Sequence, residues 1–139
     1  MINVLIVDQS FMGDVLMSSP AYRAVRAHFG RVEILTLPES AEVVGHSHCA
    51  DKIHSSWKTV KDVDIAIHLH TSFKTNVIMW LKRIPVRIGY SYKWCGWPLT
   101  VKIPIEQRTI RKGYRVDEVC NLLEEAFGWE VKDRGMIFE

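Results

Sequence analysis

The chain has 139 residues, of which 47% are hydrophobic and 24% charged, and its formal net charge is +2. This length suits one domain with a core of its own, and the composition is that of a globular protein. No apolar run approaches the roughly 18 residues of a membrane-spanning helix. The start of the chain shows no signal peptide, and three widely spaced cysteines form neither a disulfide framework nor a metal-binding pair. We therefore expect a cytoplasmic domain with reduced thiols.

The first predicted element is a strand at residues 3–7, where the continuous apolar run NVLIV is typical of a strand buried on both faces. Helical spacing follows and ends at Gly30. The apolar positions of this helix share one face: Val15, Tyr22, Val25 and Phe29. Because Ser19 and Pro20 have the residue types of an N-cap and a first helical position, we expect a kink or a separate first turn at residues 13–17.

The rest of the chain alternates between the two kinds of element. The pattern predicts strands at 32–37, 51–54, 64–69 and 85–89, and helices at 39–45, 72–82 and 116–127. The helix at 72–82 is expected to turn Phe73, Val77, Trp80 and Leu81 inward, and the last helix to bury Val119, Leu122, Leu123 and Ala126 and to stop at Gly128. An irregular segment separates them. This alternation predicts parallel βαβ units, and hence a doubly wound, Rossmann-like α/β sheet.

The turn after the first strand is the main candidate for a functional site, because ligands of such sheets bind beyond the carboxyl ends of the strands. Its sequence, DQSFMGD, has one glycine, and the large Phe11 stands where backbone would approach a pyrophosphate. It therefore lacks the fingerprint of a dinucleotide-binding turn. A receiver domain is also disfavoured, because the strand DIAIHLH ends in histidines instead of a phosphorylatable aspartate.

Two histidine clusters raise the question of a metal site: His46 and His48 with Cys49, and His68 with His70. A zinc ion needs three or four ligands at matched spacing, and the sequence defines no such set. We expect no metal and no cofactor.

Asp14 follows Gly13 directly at the start of the predicted helix. The helix dipole favours an acid there, so Asp14 can be a purely structural cap. The apolar pair Phe11 and Met12 would limit its solvation, however, and a poorly solvated carboxylate can accept a proton from a bound hydroxyl. The residues alone leave both roles open.

Charge is distributed unevenly along the chain. Between Lys82 and Arg115 nine basic residues face one acidic residue, a local net charge of +8. Aromatic residues interleave the first half of this stretch at Tyr90, Tyr92, Trp94 and Trp97. This stretch is either a solvated basic face or a surface for lipid headgroups, a phosphorylated glycan or nucleic acid.

The opening segment, NVLIVDQSFMGDVLMSSPAYRAVRAHF, resembles the start of the ADP-heptose lipopolysaccharide heptosyltransferases, glycosyltransferase family nine. In that family a strand runs into a Met/Leu-Gly-Asp turn and a helix that carries Thr/Ser-Pro-Ala. Weaker agreement extends the resemblance over nearly the whole chain, in DIAIHLHTSFKT, IPVRIGY and YRVDEVCNLLEEAFG.

The resemblance implies the N-terminal, acceptor-binding half of a two-domain GT-B enzyme. Residues 1–128 would form this domain, and residues 129–139 would begin the linker to a C-terminal domain that binds the nucleotide sugar. The reaction implied is inverting transfer of a heptose or related sugar to an anionic, lipid-linked acceptor of the lipopolysaccharide type. The chain alone would then be inactive, and nucleic acid is not an expected partner.

The resemblance also implies roles for particular residues. Asp14 would be the catalytic base, and the acceptor would contact Ser10, Phe11, Met12, Gly13, His70 and Lys74. The basic stretch would face anionic headgroups or acceptor phosphates through Lys93, Trp94, Trp97, Arg108, Arg111 and Lys112, which allows peripheral contact with the inner face of the cytoplasmic membrane.

The sequence departs from the family at four positions. His68 and His70 replace an Asp and a Gln, Tyr114 stands in place of a frequent His, and Asp8 occupies a position that is usually basic or small and polar. These departures leave the acceptor open. The alternative function is a non-catalytic domain that binds an anionic glycan or lipid.

Overall fold

A computed structural model describes residues 2–9, 12–70, 72–91, 93–104 and 115–131, without the side chains of 12–14, 93, 115, 117 and 118. These residues form the strands β1 (Asn3–Asp8), β2 (Arg31–Thr36), β3 (Lys52–His54), β4 (Ile65–His68), β5 (Val86–Ser91) and β6 (Val101–Pro104). The helices are α1 (Met12–His28), α2 (Ala41–His46), α3 (Phe73–Leu81) and α4 (Arg115–Phe127). Short 3₁₀ turns lie at Pro38–Ser40, Trp57–Thr59 and Lys93–Gly96.

The six described strands form one sheet in the order β3-β2-β1-β4-β5-β6, and every neighbouring pair is parallel. The predicted doubly wound fold is therefore confirmed. The chain builds outward from β1 to β3 and then returns to place β4 on the other side of β1, so the strand order reverses between β1 and β4. This is the strand order of dinucleotide-binding folds, and it differs from the order of receiver domains.

One side of the sheet, here called the α1–α4 face, is covered by α1, α2 and α4. Strand residues such as Val4, Ile6 and Ile34 pack there against helix residues such as Val25 and Leu122, in the larger of two buried apolar clusters. The inward residues of α1 and the apolar face of α4 agree with the helical spacing that the sequence shows. This side of the sheet is an apolar core except at its edge, where Tyr22 hydrogen-bonds to the buried Asp8.

The opposite side, here called the α3 face, carries a smaller apolar cluster. Leu5, Val7 and Leu35 of the sheet pack there against Met79 of α3 and against connecting residues such as Leu99. Buried polar side chains lie on the same side of the sheet, as described below. The α3 face is therefore less apolar than the α1–α4 face.

Helix α1 is continuous through Pro20, so the predicted separate first turn is wrong. A proline in a helix leaves the carbonyl four residues earlier without its usual N–H donor. The Ser19 hydroxyl donates instead to that carbonyl, the oxygen of Leu16, at 2.9 Å. Ser19 is thus not an N-cap, and its hydroxyl replaces the hydrogen bond that Pro20 cannot make.

The predicted inward face of α3 is also wrong. Trp80 and Leu81 are exposed, and the buried residues of this helix are Thr75, Asn76 and Met79. Asn76 is buried because it hydrogen-bonds to His68 and to the Cys95 carbonyl. Two polar partners therefore fix the orientation of α3, which apolar spacing alone does not predict.

The segment after β5 contains β6, a strand that the sequence pattern did not predict. β6 pairs in parallel with β5 from Ile88 and Val101 onward. At the other end of the domain, α4 stops at Gly128 as predicted, with a φ of 73° that favours glycine.

Residues after α4 pack onto the domain. The Trp129 ring stacks between His28 and Phe127, with centroid distances of 3.8 and 4.2 Å, and the Val131 amide donates to Glu124 at 2.9 Å. Where a linker begins stays a prediction.

Candidate functional site

The candidate site lies at the edge of the sheet where the carboxyl ends of β1 and β4 meet. β1 ends at Asp8 and β4 at His68, and Val7 is opposite His68 in the register of the two strands. Because the strand order reverses here, the connections after these strands leave toward opposite sides and open a crevice between them. α1 begins immediately beyond β1, with Asp14 as its third residue.

Asp8 is completely buried at this edge, and each of its carboxylate oxygens has a partner. The Tyr22 hydroxyl of α1 donates to Oδ2, and Nε2 of His70 lies 2.8 Å from Oδ1. Burying a carboxylate is costly unless it is hydrogen-bonded, and these two contacts offset that cost. Asp8 therefore links the helix that carries Asp14 to the connection after β4, which carries His70.

His70 is partly exposed, with 27% of its side chain accessible, and it is the member of this group that a ligand can reach. Its contact with Asp8 fixes the orientation of the imidazole at the crevice. The sequence predicts His70 as an acceptor contact, but it gives no sign of the partner 62 residues earlier in the chain.

The second histidine of the pair, His68, is buried and faces the opposite side. Its Nδ1 lies 2.8 Å from Oδ1 of Asn76, and the Asn76 amide donates to the Cys95 carbonyl at 3.2 Å. This chain of contacts ties β4 to α3 and to the 3₁₀ turn at Lys93–Gly96. His68 thus has a structural role on the α3 face.

Lys74 is exposed in the first turn of α3. Ser72 caps this helix, and its Oγ accepts from the Thr75 amide at 3.4 Å. A cation is unfavourable near the positive end of a helix dipole, so Lys74 gains no stability from this position. The lysine and the helix terminus instead form one positively charged region beside the crevice.

Several predicted site residues cannot be located. Ser10, Phe11, Arg108, Arg111 and Lys112 lie outside the described residues. For Met12, Asp14 and Lys93 the backbone is described and the side chain is not, and Gly13 is described as part of α1. The roles assigned to these residues therefore stay predictions.

Trp94 and Trp97 belong to a larger group of rings, here called the aromatic ridge: Phe73, Trp80, Trp94 and Trp97. Ring centroids lie 5.0 Å apart for Phe73 and Trp94, 6.2 Å for Phe73 and Trp97, and 5.3 Å for Trp80 and Trp97. The ridge runs along α3 from its first residue to its last turn. Helical spacing predicted both Phe73 and Trp80 to be core residues, whereas Trp80 is exposed and Phe73 is partly buried.

A buried acid–base pair lies on the α3 face, away from the crevice. Oε1 of Glu33 lies 2.5 Å from Nε2 of His54, and Nδ1 of His54 lies 2.6 Å from the Thr59 hydroxyl. Burial raises the pKa of Glu33, but hydrogen bonds with His54 and Asn3 and nearby positive charge outweigh burial and hold this pKa below its ordinary value. Glu33 is therefore charged at neutral pH.

Among the residues that the structure describes, no group of three or more His, Cys, Asp or Glu side chains is arranged to hold a metal ion. No helix in the described ranges is long and apolar enough to cross a membrane.

Asp8 and Tyr22 are the site residues that sequence reasoning missed. The signal for Asp8 was available, because a carboxylate directly follows an otherwise apolar strand at the functional edge. Tyr22 gave no such signal, since a tyrosine on the apolar face of a helix is typical of a core position.

The fold and the crevice define a doubly wound α/β domain whose ligand site lies at the reversal of strand order. No protein-family model matches the sequence, and no curated protein matches it. Solved structures do match the fold, and all three described next are of glycosyltransferases.

The chain is similar to E. coli heptosyltransferase WaaC with ADP, at 16% sequence identity and a TM-score of 0.76, over 97% of this chain and 51% of that one. It is similar to a glycosyl transferase family 9 structure from Veillonella parvula DSM 2008, at 16% identity and a TM-score of 0.81, over 99% of this chain and 44% of that one. It is also similar to E. coli ADP-heptose lps heptosyltransferase II, at 16% identity and a TM-score of 0.67, over 85% of this chain and 40% of that one. The chain therefore spans about half the length of these structures or less, and the likeness is one of fold.

Proposed function

We propose that this chain supplies the acceptor site and the catalytic base of an inverting glycosyltransferase. The enzyme would transfer a heptose or related sugar from a nucleotide sugar to a lipopolysaccharide-type acceptor. The main support is the agreement between the fold, which is similar to heptosyltransferase structures over nearly the whole chain, and the position of Gly13 and Asp14 at the start of α1 beside the crevice. The donor would bind a second domain. A nucleotide-sugar donor is supported by the similarity to E. coli heptosyltransferase WaaC, whose structures contain ADP and ADP-2-deoxy-2-fluoro heptose.

In the proposed reaction, Asp14 accepts the proton of an acceptor hydroxyl while that oxygen attacks the anomeric carbon of the donor sugar. The bond from that carbon to the nucleoside diphosphate breaks on the opposite side, and the configuration inverts. The diphosphate leaves with its electron pair and would be stabilised by cationic groups of the donor domain. The step needs no metal ion.

The residues around Asp14 have supporting roles in this proposal. Asp8 holds Tyr22 and His70, and so fixes α1 relative to the far side of the crevice. His70 and Lys74 would contact the acceptor, with Ser10, Phe11, Met12 and Gly13 forming the rest of its loop. A lysine at the positive end of α3 suits an acceptor that carries acidic groups.

The basic stretch is proposed to contact anionic lipid headgroups or acceptor phosphates. The residues assigned to this contact are Lys93, Trp94, Trp97, Arg108, Arg111 and Lys112. Such a contact would keep the domain near a lipid-linked acceptor, and it should weaken as salt rises.

The test compares two substitutions in the natural full-length protein. Asp14→Asn should lower kcat by about 10²-fold or more with little change in acceptor KM, because it removes a positioned base. Lys74→Gln should instead raise the acceptor KM at nearly unchanged kcat. The matched control is Asp62→Asn, since Asp62 is exposed and its φ of 56° is well tolerated by asparagine.

Near-normal turnover of Asp14→Asn would return Asp14 to the role of a helix cap. The alternative function, a non-catalytic domain that binds an anionic glycan or lipid, would then be favoured if the protein still bound the acceptor.

A further inference from the structure

An unusual amount of aromatic and aliphatic surface is exposed along α3 and the turn after β5. Trp80, Leu81, Trp94 and Trp97 are 45%, 64%, 65% and 49% exposed. The three tryptophans belong to one ridge with Phe73, and Leu81 extends it at the end of the helix beside a cleft of about 350 Å³. Contiguous apolar surface of this kind marks an interaction site more often than scattered exposed residues do.

The chain segment that carries the aromatic ridge has charge of one sign. No Asp or Glu occurs between Ile65 and Ile105, a segment that contains six basic residues: Lys74, Lys82, Arg87, Lys102, Arg83 and Lys93. Lys82 and Arg87 donate to backbone carbonyls and stabilise the fold. Lys74 and Arg83 are exposed at opposite ends of α3, so positive charge flanks the ridge at both ends.

Arg83 occupies a position where glycine is the usual residue. Its φ is 58°, and the amides of Arg83 and Ile84 donate to the carbonyls of Trp80 and Met79 at 3.0 and 3.4 Å. This is the Schellman arrangement at the end of a helix, in which a non-glycine residue at this position is strained. Arg83, which lies beside Trp80 and Leu81, therefore lowers the stability of the fold relative to glycine. This cost indicates that the positive charge of Arg83 has a function.

The geometry of the rings argues against a platform for stacking sugars. Such a platform needs flat ring faces open to the ligand, whereas the ring planes meet at 73° for Phe73 and Trp94 and at 73° for Trp80 and Trp97. Edge-to-face packing covers part of these ring faces and leaves a compact amphipathic surface instead. Tryptophan together with flanking cations is the composition of surfaces that lie at the interface of an anionic membrane.

We propose that the aromatic ridge, with Leu81 and Arg83, docks the domain onto an anionic lipid bilayer. Trp80, Trp94, Trp97 and Leu81 enter the headgroup region, and Arg83 contacts lipid phosphates. This inference concerns the lipid contact of the proposed function. It assigns that contact mainly to α3 and the aromatic ridge instead of the basic stretch. It does not depend on sugar transfer, and its test involves no catalysis.

The experiment measures how the 139-residue chain partitions onto vesicles of phosphatidylglycerol and phosphatidylcholine in equal parts, by sedimentation. The triple variant Trp80→Ser, Trp94→Ser, Trp97→Ser should bind at least about tenfold more weakly than wild type. Leu81→Ser alone should weaken binding about threefold. Its matched control is Ile2→Ser, because Ile2 is 51% exposed at the far end of β1 and should leave binding unchanged.

Arg83→Gly separates the docking role from a structural one. The substitution relieves the strained φ, so the melting temperature should stay the same or rise. Affinity for the anionic vesicles should nevertheless fall about fivefold, the effect of one basic residue near a charged bilayer. A structural role for Arg83 would change both quantities in the same direction.

Three results would overturn the proposal: no binding of wild type to the anionic vesicles, equal binding by wild type and Leu81→Ser, or concentration-dependent dimers of wild type that Leu81→Ser abolishes. The last result would identify the ridge as an interface between copies of this chain. Absence of vesicle binding by the wild-type chain, with sugar transfer by the natural full-length protein intact, would refute docking alone. Vesicle binding by the wild-type chain without sugar transfer by the full-length protein would refute the transferase alone.

Discussion

The two faces of the sheet are built on different principles. The α1–α4 face is an apolar core between the sheet and three helices, in which residues such as Ile6 and Leu122 are fully buried, and its buried polar contact between Asp8 and Tyr22 lies at the edge of the sheet. The α3 face has a smaller apolar cluster and two buried polar contacts, Glu33 with His54 and His68 with Asn76. It also carries the exposed aromatic ridge. The comparison suggests that the first face supplies most of the stability and that the second supplies specific orientation.

Matched leucines test this division most strongly. Leu122→Ala on the α1–α4 face should lower the free energy of unfolding by about 4 kcal/mol, because the site is enclosed on all sides and leaves a cavity. Leu99→Ala on the α3 face should cost only about 2 to 3 kcal/mol, since the loop around it can partly collapse. Urea denaturation of both variants measures the difference. Equal costs would remove the distinction between the faces.

The Glu33–His54 pair should give the next largest effect. Glu33→Gln leaves the shape of the side chain but removes a buried charge from its partners, so it should cost about 2 kcal/mol at pH 7. The folded protein holds the pKa of Glu33 below its ordinary value of 4.5, so the charged form adds stability above that pH. This contribution is lost as the pH falls through the lowered pKa.

The difference in stability between wild type and Glu33→Gln should therefore shrink at acid pH. Denaturation at a series of pH values from 7 down to about 3 measures this dependence. A difference that stays constant over the whole range would show that Glu33 contributes through packing and not through its charge.

The smallest predicted effect concerns Ser19 and Pro20 on the α1–α4 face. Ser19→Ala removes the donor to the Leu16 carbonyl and should cost about 1 kcal/mol. In a Pro20→Ala background the restored N–H can make that bond, so the same substitution should then cost almost nothing. Thermal unfolding of wild type, the two single variants and the double variant gives the coupling free energy between the two positions. Additive effects would mean that the hydroxyl does not replace the missing bond.

The sequence predicts the architecture well because apolar spacing depends on local geometry. The run NVLIV forms β1, the apolar face of α4 is buried, and Gly128 ends α4. The same spacing fails for α3, where the contacts of Asn76 with His68 and Cys95 orient the helix. Such contacts join distant parts of the chain, and no periodic pattern represents them.

The candidate site follows the same rule. The position of the crevice after β1 follows from the predicted sheet, and the structure places His70 there, while its role as an acceptor contact stays a prediction. Its contact with Asp8 could not be predicted, because it joins residues 62 positions apart. The aromatic ridge was missed for a related reason, since tryptophans at helical spacing usually indicate a core.

We propose that the crevice between β1 and β4 binds the acceptor and not the nucleotide sugar. The most direct test is a two-dimensional NMR titration of the isotope-labelled chain with a soluble, deacylated fragment of an anionic lipopolysaccharide inner core, and separately with ADP-heptose. We expect the glycan to shift the amide signals of Asp8, His70 and Lys74, and ADP-heptose to shift none of them. Micromolar binding of ADP-heptose at these amides, without an effect of the glycan, would show that the crevice is a nucleotide-sugar site instead.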